Sequence, residues 1–438
     1  RRNTMKKMLL AILKFLSKKI LKKHRPQIVG ITGSVGKTST TEAIFTVLSA
    51  KFSVRKSMKN YNNEFGVPLT IIGSVSGNRS LVRWLGILLK GFRLSLVRDS
   101  FYPQILVLEM GADRKGDIQY LVNMAHPYVG VITSISESHL EYFGTLNAII
   151  KEKADLIRYL EKEEYAVLNM DEETVQKASK QTEASVLSFG FSEKRDMSAL
   201  EMNVSGVTYD HTTDVSKIRG VSFKISYNGS SVPVFLPSVL GKQHVYSALA
   251  AASVGVIFKM NLIEISEALK RYDPPNGRMN VIAGVKKTLI IDDTYNSSPA
   301  SSVNALETVA GIAIAKGAQR FAVLGDMLEL GSFSAKAHKE IGALVHILRY
   351  DYLIAVGERA SDMARGARDA GMKEERVYSF SNSVEAGKFV QERMEEGDVL
   401  LVKGSQGVRM ERIVKEIMAE PLRAEELLVR HDAYWLKR

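Results

Sequence analysis

Three features of the sequence point to an α/β chain made of two doubly wound units behind a short basic helix. Apolar runs of strand length alternate with helical patterns through most of the 438 residues. A glycine turn, Gly33–Gly36, joins the first of these runs to a helix. The alternation is broken once by YDPPNGRMN (Tyr272–Asn280), whose prolines and glycine mark a hinge. The expected division is residues 1–26 as a basic amphipathic helix, 27–276 as a first unit and 277–438 as a second.

Composition narrows the chemistry. Hydrophobic residues at 45% and charged residues at 25% describe an ordinary globular protein. With no cysteine, disulfides and thiolate metal sites are excluded, so a metal would be held by oxygen or imidazole. Ten of the basic residues lie in residues 1–25 with no acid among them, and they supply most of the net +12. The remaining body is nearly neutral, which gives no case for nucleic acid binding.

The basic segment MKKMLLAILKFLSKKILKK (Met5–Lys23) places Leu9, Ile12, Leu13, Leu16 and Ile20 on one helical stripe with lysines opposite. It is too short and interrupted to cross a bilayer, and no small-residue cleavage site follows. Two readings fit: a helix packed on the neighbouring unit, or attachment to an anionic membrane surface. A second segment favours the membrane. Phe65–Arg98 has five basic residues and no acid, with Trp84, Leu85, Leu88, Leu89 and Phe92 at helical spacing. Peripheral membrane contact through residues 5–25 and 80–97 is therefore expected.

Next comes VGITGSVGKTSTTEAIFTVL (Val29–Leu48). Gly33 and Gly36 let backbone N–H groups approach a phosphate, Lys37 adds a cation and Thr38 offers a hydroxyl to magnesium. The usual first glycine of such loops is replaced by Ile31, leaving the narrower TGxxGKTS. ILVLEMGA within Pro103–Ala112 is a strand run ending in Glu109, and Tyr128–Ser136 is another, followed closely by His139. Open parallel sheets bind ligands at such strand ends, so Thr38, Glu109 and His139 are candidate magnesium ligands. Lys153, in KEKADLI, reads on physics alone as a solvated helix lysine. From Ser192 to Pro237 the pattern changes to short alternating strands with an Asn228-Gly229 hairpin turn. A helix follows, and beyond the hinge TLIIDDTY, RFAVLGDM, YLIAVGE, RVYSF and DVLLVKGS alternate with helices as a second doubly wound unit without GxGxxG.

The motifs TGSVGKTS, NYNNEFGVPLT, LEMGA, SHLEYFG, EKADL, DDTYNSSPAS, LGDMLELGSFSAKAHKEIG and LVKGSQGVRMERIV, in this order from about Gln27 to Met418, resemble the Mur ligases. The resemblance implies a phosphate-loop central domain and a Rossmann-like C-terminal domain. It implies ATP and magnesium, two metal sites, and a peptide ligase of cell-wall precursor synthesis adding D-alanyl-D-alanine to a muramoyl tripeptide through an acyl phosphate. Gly33, Ser34, Val35, Gly36, Lys37, Thr38, Ser39, Asn63, His244, Arg278, Asp293 and Asn296 would bind nucleotide. Thr38, Glu109, His139 and Lys153 would hold metal, Lys153 as a carbamate, with Lys151 the fallback if the register differs by two. Arg278 would reach the phosphates on domain closure, and Asn62, Asn63, Tyr295, His338, Lys403 and Ser405 would line the substrates.

Some residues depart from the family. Members usually begin with a domain for the UDP-sugar, whereas here only the basic helix precedes the loop. Met5 is a candidate natural start, and a fragment is the other reading. Ser247 replaces a common asparagine and Gln406 a usual arginine. Alternatives are a pseudomurein-type or folylpolyglutamate-type ligase, a lipid-linked acceptor, or a non-catalytic nucleotide-gated membrane protein. A cytoplasmic monomer is the expected state.

Overall fold

The computed structural model describes residues 2–58, 61–78, 80–137, 140–205 and 217–431. Its first sheet has nine strands in the order β2-β3-β1-β4-β5-β6-β7-β8-β9. These are β1 Gln27–Thr32, β2 Val54–Lys56, β3 Ile105–Glu109, β4 Val129–Ile132, β5 Tyr165–Asn169, β6 Ser185–Gly190, β7 Met197–Ser205, β8 Gly220–Tyr227 and β9 Ser230–Pro237. Every pairing from β2 through β7 is parallel, whereas β7, β8 and β9 pair antiparallel. Helical crossovers join the consecutive strands from β1 to β6, residues 191–196 join β6 to β7 without a helix, and Asn228 and Gly229, both at positive φ, close β8 onto β9 with Tyr227 opposite Ser230.

The helices of this unit are α1 Arg2–His24, α2 Lys37–Ser49, α3 Gly66–Ile72, α4 Leu81–Leu96, α5 Asp117–Met124, α6 Leu140–Phe143, α7 Leu146–Arg158, α8 Glu173–Ser179, α9 Lys242–Ile257 and α10 Leu262–Leu269. Central strands β1, β3 and β4 are continuous runs of buried apolar residues, because helices cover both faces. α2 and α9 pack together on one face. The other face carries α3, α4, α5 and α1, whose Leu13 and Ile20 enter the same core as Leu106 and Leu108.

The basic helix thus uses its stripe for packing: Leu13, Leu16 and Ile20 are buried and Leu9 is half-buried. One member departs from expectation. Ile12 lies on the solvent side, because the helix buries the arc centred on Leu13 and Leu16.

The second sheet runs β10-β11-β15-β12-β13-β14, with only β10 antiparallel. Its strands are β10 Asn280–Ala283, β11 Leu289–Asp293, β12 Arg320–Gly325, β13 Tyr352–Val356, β14 Val377–Phe380 and β15 Val399–Lys403. The five strand runs read beyond the hinge are β11 to β15. Helices α11 Pro299–Ala310, α12 Ser334–Ile347, α13 Ala360–Asp369, α14 Ser383–Arg393, α15 Glu411–Ile417 and α16 Ala424–Leu427 flank the sheet.

Candidate active site

The two sheets turn the C-terminal ends of their strands toward the hinge, and polar side chains collect there. β1 ends in the loop Gly33–Gly36. Gly36, at φ 87°, starts α2 without any side-chain cap, so the first turn presents backbone N–H groups to an anion. Gly33 has φ 155°, and a Cβ there would sit 2.0 Å from Thr133 Oγ1. Only glycine lets the loop lie this close to the end of β4.

The contact with β4 is extensive. Ser34 N donates to the Ser134 carbonyl at 2.8 Å, and Thr133 Oγ1 donates to the Val35 carbonyl at 2.6 Å. Ser134 Oγ accepts from Val35 N at 3.0 Å, and Ser34 Oγ accepts from Ser136 N at 2.9 Å. Thr133, Ser134 and Ser136 went unnoticed in the sequence. The signal was the polar TSIS run ending a buried strand.

Two lysines converge on the loop. Lys37 Nζ donates to the Gly33 carbonyl at 2.7 Å, and Lys153 Nζ donates to the same oxygen at 3.0 Å. Lys153 is 4% exposed, not solvated. Burial, followed by repulsion from Lys37, pushes its pKa down to about 7. Burial also lowers Lys37, partly offset by Glu109 and reinforced by Arg278. Lys151 points to solvent, which removes it as the fallback.

Glu109, buried at the end of β3, takes a hydrogen bond from Thr38 Oγ1 to Oε2 at 3.1 Å and one from Asn62 Nδ2 to Oε1 at 3.2 Å. Thr38 and Glu109 form a hard-oxygen pair beside the phosphate loop, a donor set suited to magnesium. His139 lies outside the described residues. Asn63 Oδ1 accepts from Phe65 N and Gly66 N in the turn leading into α3, and Asn63 lines a cleft of about 880 Å³ that also meets α1.

Across the hinge, Lys403 and Asp293 end the neighbouring strands β15 and β11. Their side chains pair at 2.6 Å, and Lys403 also donates to the Asn296 carbonyl at 3.0 Å. The Arg278 guanidinium lies over the Tyr295 ring at 4.0 Å, with Nε making no hydrogen bond. Arg430 pins this loop from behind, donating to the Thr294 carbonyl at 3.1 Å and to Glu411 at 3.1 Å. Arg430 thereby gives the chain after Pro421 a part in the site.

A cavity of about 90 Å³ lies between the two units. Ser34, Val35, Gly36, Ser39, His244, Arg278, Asp293, Asn296 and Lys403 all line it, with Gln243, Ser298 and Asn304 added by the structure. Pockets that enclose a drug-sized ligand run to roughly 300–1,000 Å³, so this cavity is smaller than a typical ligand pocket.

Three expected contacts are corrected. His244 touches the cavity, but its ring is spent: Nε2–H donates to the Arg278 carbonyl at 2.7 Å, leaving Nδ1 to accept from the Tyr272 hydroxyl at 3.0 Å. Burial pushes its pKa down to about 4, so it is a neutral residue that positions Arg278. His338 is fully buried within the second unit, accepting from Met327 N at 2.9 Å and donating to the Ser334 carbonyl at 2.7 Å. It cannot line a substrate. Ser405 is also buried, and its hydroxyl accepts from Leu328 N at 2.9 Å. Ser247 sits between α2 and α9, accepting from Thr40 Oγ1 at 3.1 Å and donating to the Gln243 carbonyl at 3.0 Å.

The same residues fall inside known families. Residues 31–80 and 95–255 match the Mur ligase middle domain, and 277–406 match the Mur ligase, glutamate ligase domain. The chain belongs to the Mur ligase family. It is an ATP-dependent peptide ligase by the same evidence. Among similar Mur ligases is the UDP-N-acetylmuramoyl-tripeptide–D-alanyl-D-alanine ligase of Bacillus subtilis, 29% identical over 417 residues that cover 94% of this chain and 80% of that one. The Synechocystis enzyme of the same name is 28% identical over 396 residues, 90% of this chain and 75% of its own. The ADP complex of MurF from Thermotoga maritima superposes with a TM-score of 0.74 at 26% identity, over 95% of this chain and 84% of that one. MurF from Acinetobacter baumannii gives 0.74 at 25%, over 92% and 79%.

Proposed function

We propose that this Mur ligase joins a muramoyl tripeptide to D-alanyl-D-alanine, working as a cytoplasmic monomer. The observation that carries this reading is the convergence of Lys37, Lys153, Thr38 and Glu109 on one uncapped helix start, facing Arg278, Asp293 and Lys403 across the hinge.

The tripeptide's terminal carboxylate attacks the γ-phosphorus of ATP, and the bond to the β–γ bridging oxygen breaks to release ADP. The amine of the dipeptide then attacks the acyl phosphate carbonyl. The carbon–oxygen bond to phosphate breaks, the amide forms, and the amine proton is lost. Lys37 and the backbone N–H groups opening α2 meet the charge that gathers on the transferred phosphoryl group. Magnesium, when bound, would neutralise phosphate charge. Thr38 and Glu109 would hold it, with His139 and a carbamylated Lys153 completing two sites.

A lysine that loses its proton near pH 7 has the lone pair that carbamylation by carbon dioxide requires. Arg278, held by His244 and Tyr295, reaches the phosphates as the units close. Asp293, Tyr295 and Asn296 position nucleotide and amine, and Lys403 fixes Asp293. Closure also keeps water from the acyl phosphate. The test is phosphate release from ATP with magnesium, given UDP-muramoyl tripeptide plus D-alanyl-D-alanine and then with each omitted. Release that needs both, with an amide product of the summed mass less water, supports the assignment. Release with neither acceptor, or with only one, refutes it.

A further inference from the structure

A surface remote from this chemistry carries a second inference. α4 is turned inside out relative to an ordinary amphipathic helix. Ile87, Gly91 and Leu94 face the protein. Leu81, Val82, Leu85, Leu89, Phe92 and Leu96 are between 57% and 79% exposed. At about 100° per residue those six fall within an arc of about 100°, a single apolar line along the solvent side. α1 lies against α4: a Cβ on Gly91 would come 3.1 Å from Leu16, and His24 Nε2 donates to the Leu94 carbonyl at 2.9 Å. On its own outer side α1 exposes Met8, Ile12 and Phe15 among Lys7, Lys18, Lys19 and Lys22. Neither helix contains an acid.

The family match runs over residues 31–80 and 95–255, so it passes over nearly the whole of α4 and begins after α1. Both helices therefore fall largely outside the matched segments, and they pack together and expose apolar lines. A soluble monomer rarely leaves so much aliphatic surface open unless something covers it.

We propose that the outer face of α1 and α4 docks peripherally on an anionic phospholipid bilayer. The apolar line enters the boundary between headgroups and acyl chains, and the exposed α1 lysines beside it, Lys7, Lys18, Lys19 and Lys22, meet the anionic headgroups. Charge chooses this occupant over a second copy of the chain, since pairing two such faces would oppose lysine to lysine. No helix among the described residues is long and apolar enough to cross a membrane, so the contact lies on the surface. The inference is independent of which substrates the ligase joins.

The experiment is co-sedimentation of the full chain with vesicles of phosphatidylcholine alone and of phosphatidylcholine with phosphatidylglycerol, at low and high salt. Expected is binding to the anionic vesicles at low salt, weakened by salt and near background on the neutral ones. Replacing Leu85, Leu89 and Phe92 with serine should lower the bound fraction about tenfold or more. Lys18→Glu with Lys22→Glu should lower it as well. All five side chains are exposed, and unchanged thermal unfolding verifies that the variants fold. No binding at low salt would overturn the proposal, as would equal binding by wild type and the serine variant. A concentration-dependent dimer that the serine variant abolishes, with no vesicle binding, would overturn it in favour of self-association.

Discussion

The phosphate loop and the α1–α4 face break the ordinary partition of side chains in opposite senses. At the loop, Lys153 on α7 and Glu109 at the end of β3 are buried among largely aliphatic neighbours. On the α1–α4 face, leucines and phenylalanines stand in water while lysines of the same helices offer no acid for one another. Each arrangement costs the folded state free energy. Burying a cation sacrifices hydration, and exposing a leucine forgoes burial. The difference is in what lowers the cost. The loop's charges are met by one another and by phosphate, so the relief is local and chemical. The outer face has no internal relief, and it points to something outside the chain.

This contrast predicts that replacing buried loop charges damages turnover more than stability. Lys37→Ala should show the largest effect, lowering kcat by about 10²–10³-fold, the loss typical of one charged contact to a transition state. Its unfolding midpoint should stay near wild type, because in the free protein the ammonium donates to two carbonyls of its own loop, Gly33 and Ser34, and among the described residues holds no other element of the fold. A fall in stability as large as the fall in turnover would place Lys37 among the structural residues and dissolve the contrast.

Gly33→Ala sharpens it from the backbone side. The new Cβ at 2.0 Å from Thr133 Oγ1 must displace either the loop or the end of β4. A cost of about 1–3 kcal/mol in urea unfolding is expected, together with loss of ATP binding. A variant that keeps nucleotide affinity would show that the close approach of loop and strand is not what shapes the phosphate site.

Lys153 allows the cost of a buried cation to be measured directly. Its pKa is about 7 in the folded protein, against an ordinary lysine value of 10.5 when unfolded. Between those values the unfolded chain holds a proton that the folded chain has released, so stability rises with pH across that window. Below about pH 7 both states are protonated and the contribution is flat at its least favourable. In carbon dioxide-free buffer the wild type should gain roughly 1–3 kcal/mol relative to Lys153→Met between pH 7 and pH 9. Parallel profiles for the two proteins would mean that the ammonium is not desolvated. With bicarbonate present, a 44 Da adduct on Lys153 by mass spectrometry would report the carbamate itself.

How far these features could be read from the sequence depends on whether the signal is local. The loop, the strand ends carrying Glu109 and Asp293, and five of the six strands of the second sheet follow from short-range pattern. Lys153 was legible but misread. It falls in register with Ile149, Ile150, Ala154, Leu156 and Ile157, on the buried side of α7. A lysine inside such a stripe is a buried lysine. His338 and His244 misled in the other direction, since a histidine in a conspicuous motif does not reveal that backbone groups use both its nitrogens. Arg430 could not have been found. Its partners Thr294 and Tyr295 lie some 135 residues earlier, and no local pattern encodes that contact.

The smallest effect expected is on the outer face, and its smallness is what separates the two regions. Leu85→Ser with Leu89→Ser removes two leucines that are 58% and 60% exposed. The change should alter unfolding free energy by no more than about 0.5 kcal/mol and leave solution turnover unchanged, as for surface substitutions away from buried contacts. A loss of 2 kcal/mol or more would show that these leucines pack within the protein in solution, making α4 an ordinary core helix. A flat response in solution assigns their function to what they touch outside it. Lys37 would then mark the case in which a misplaced residue serves chemistry, and Leu89 the case in which it serves location.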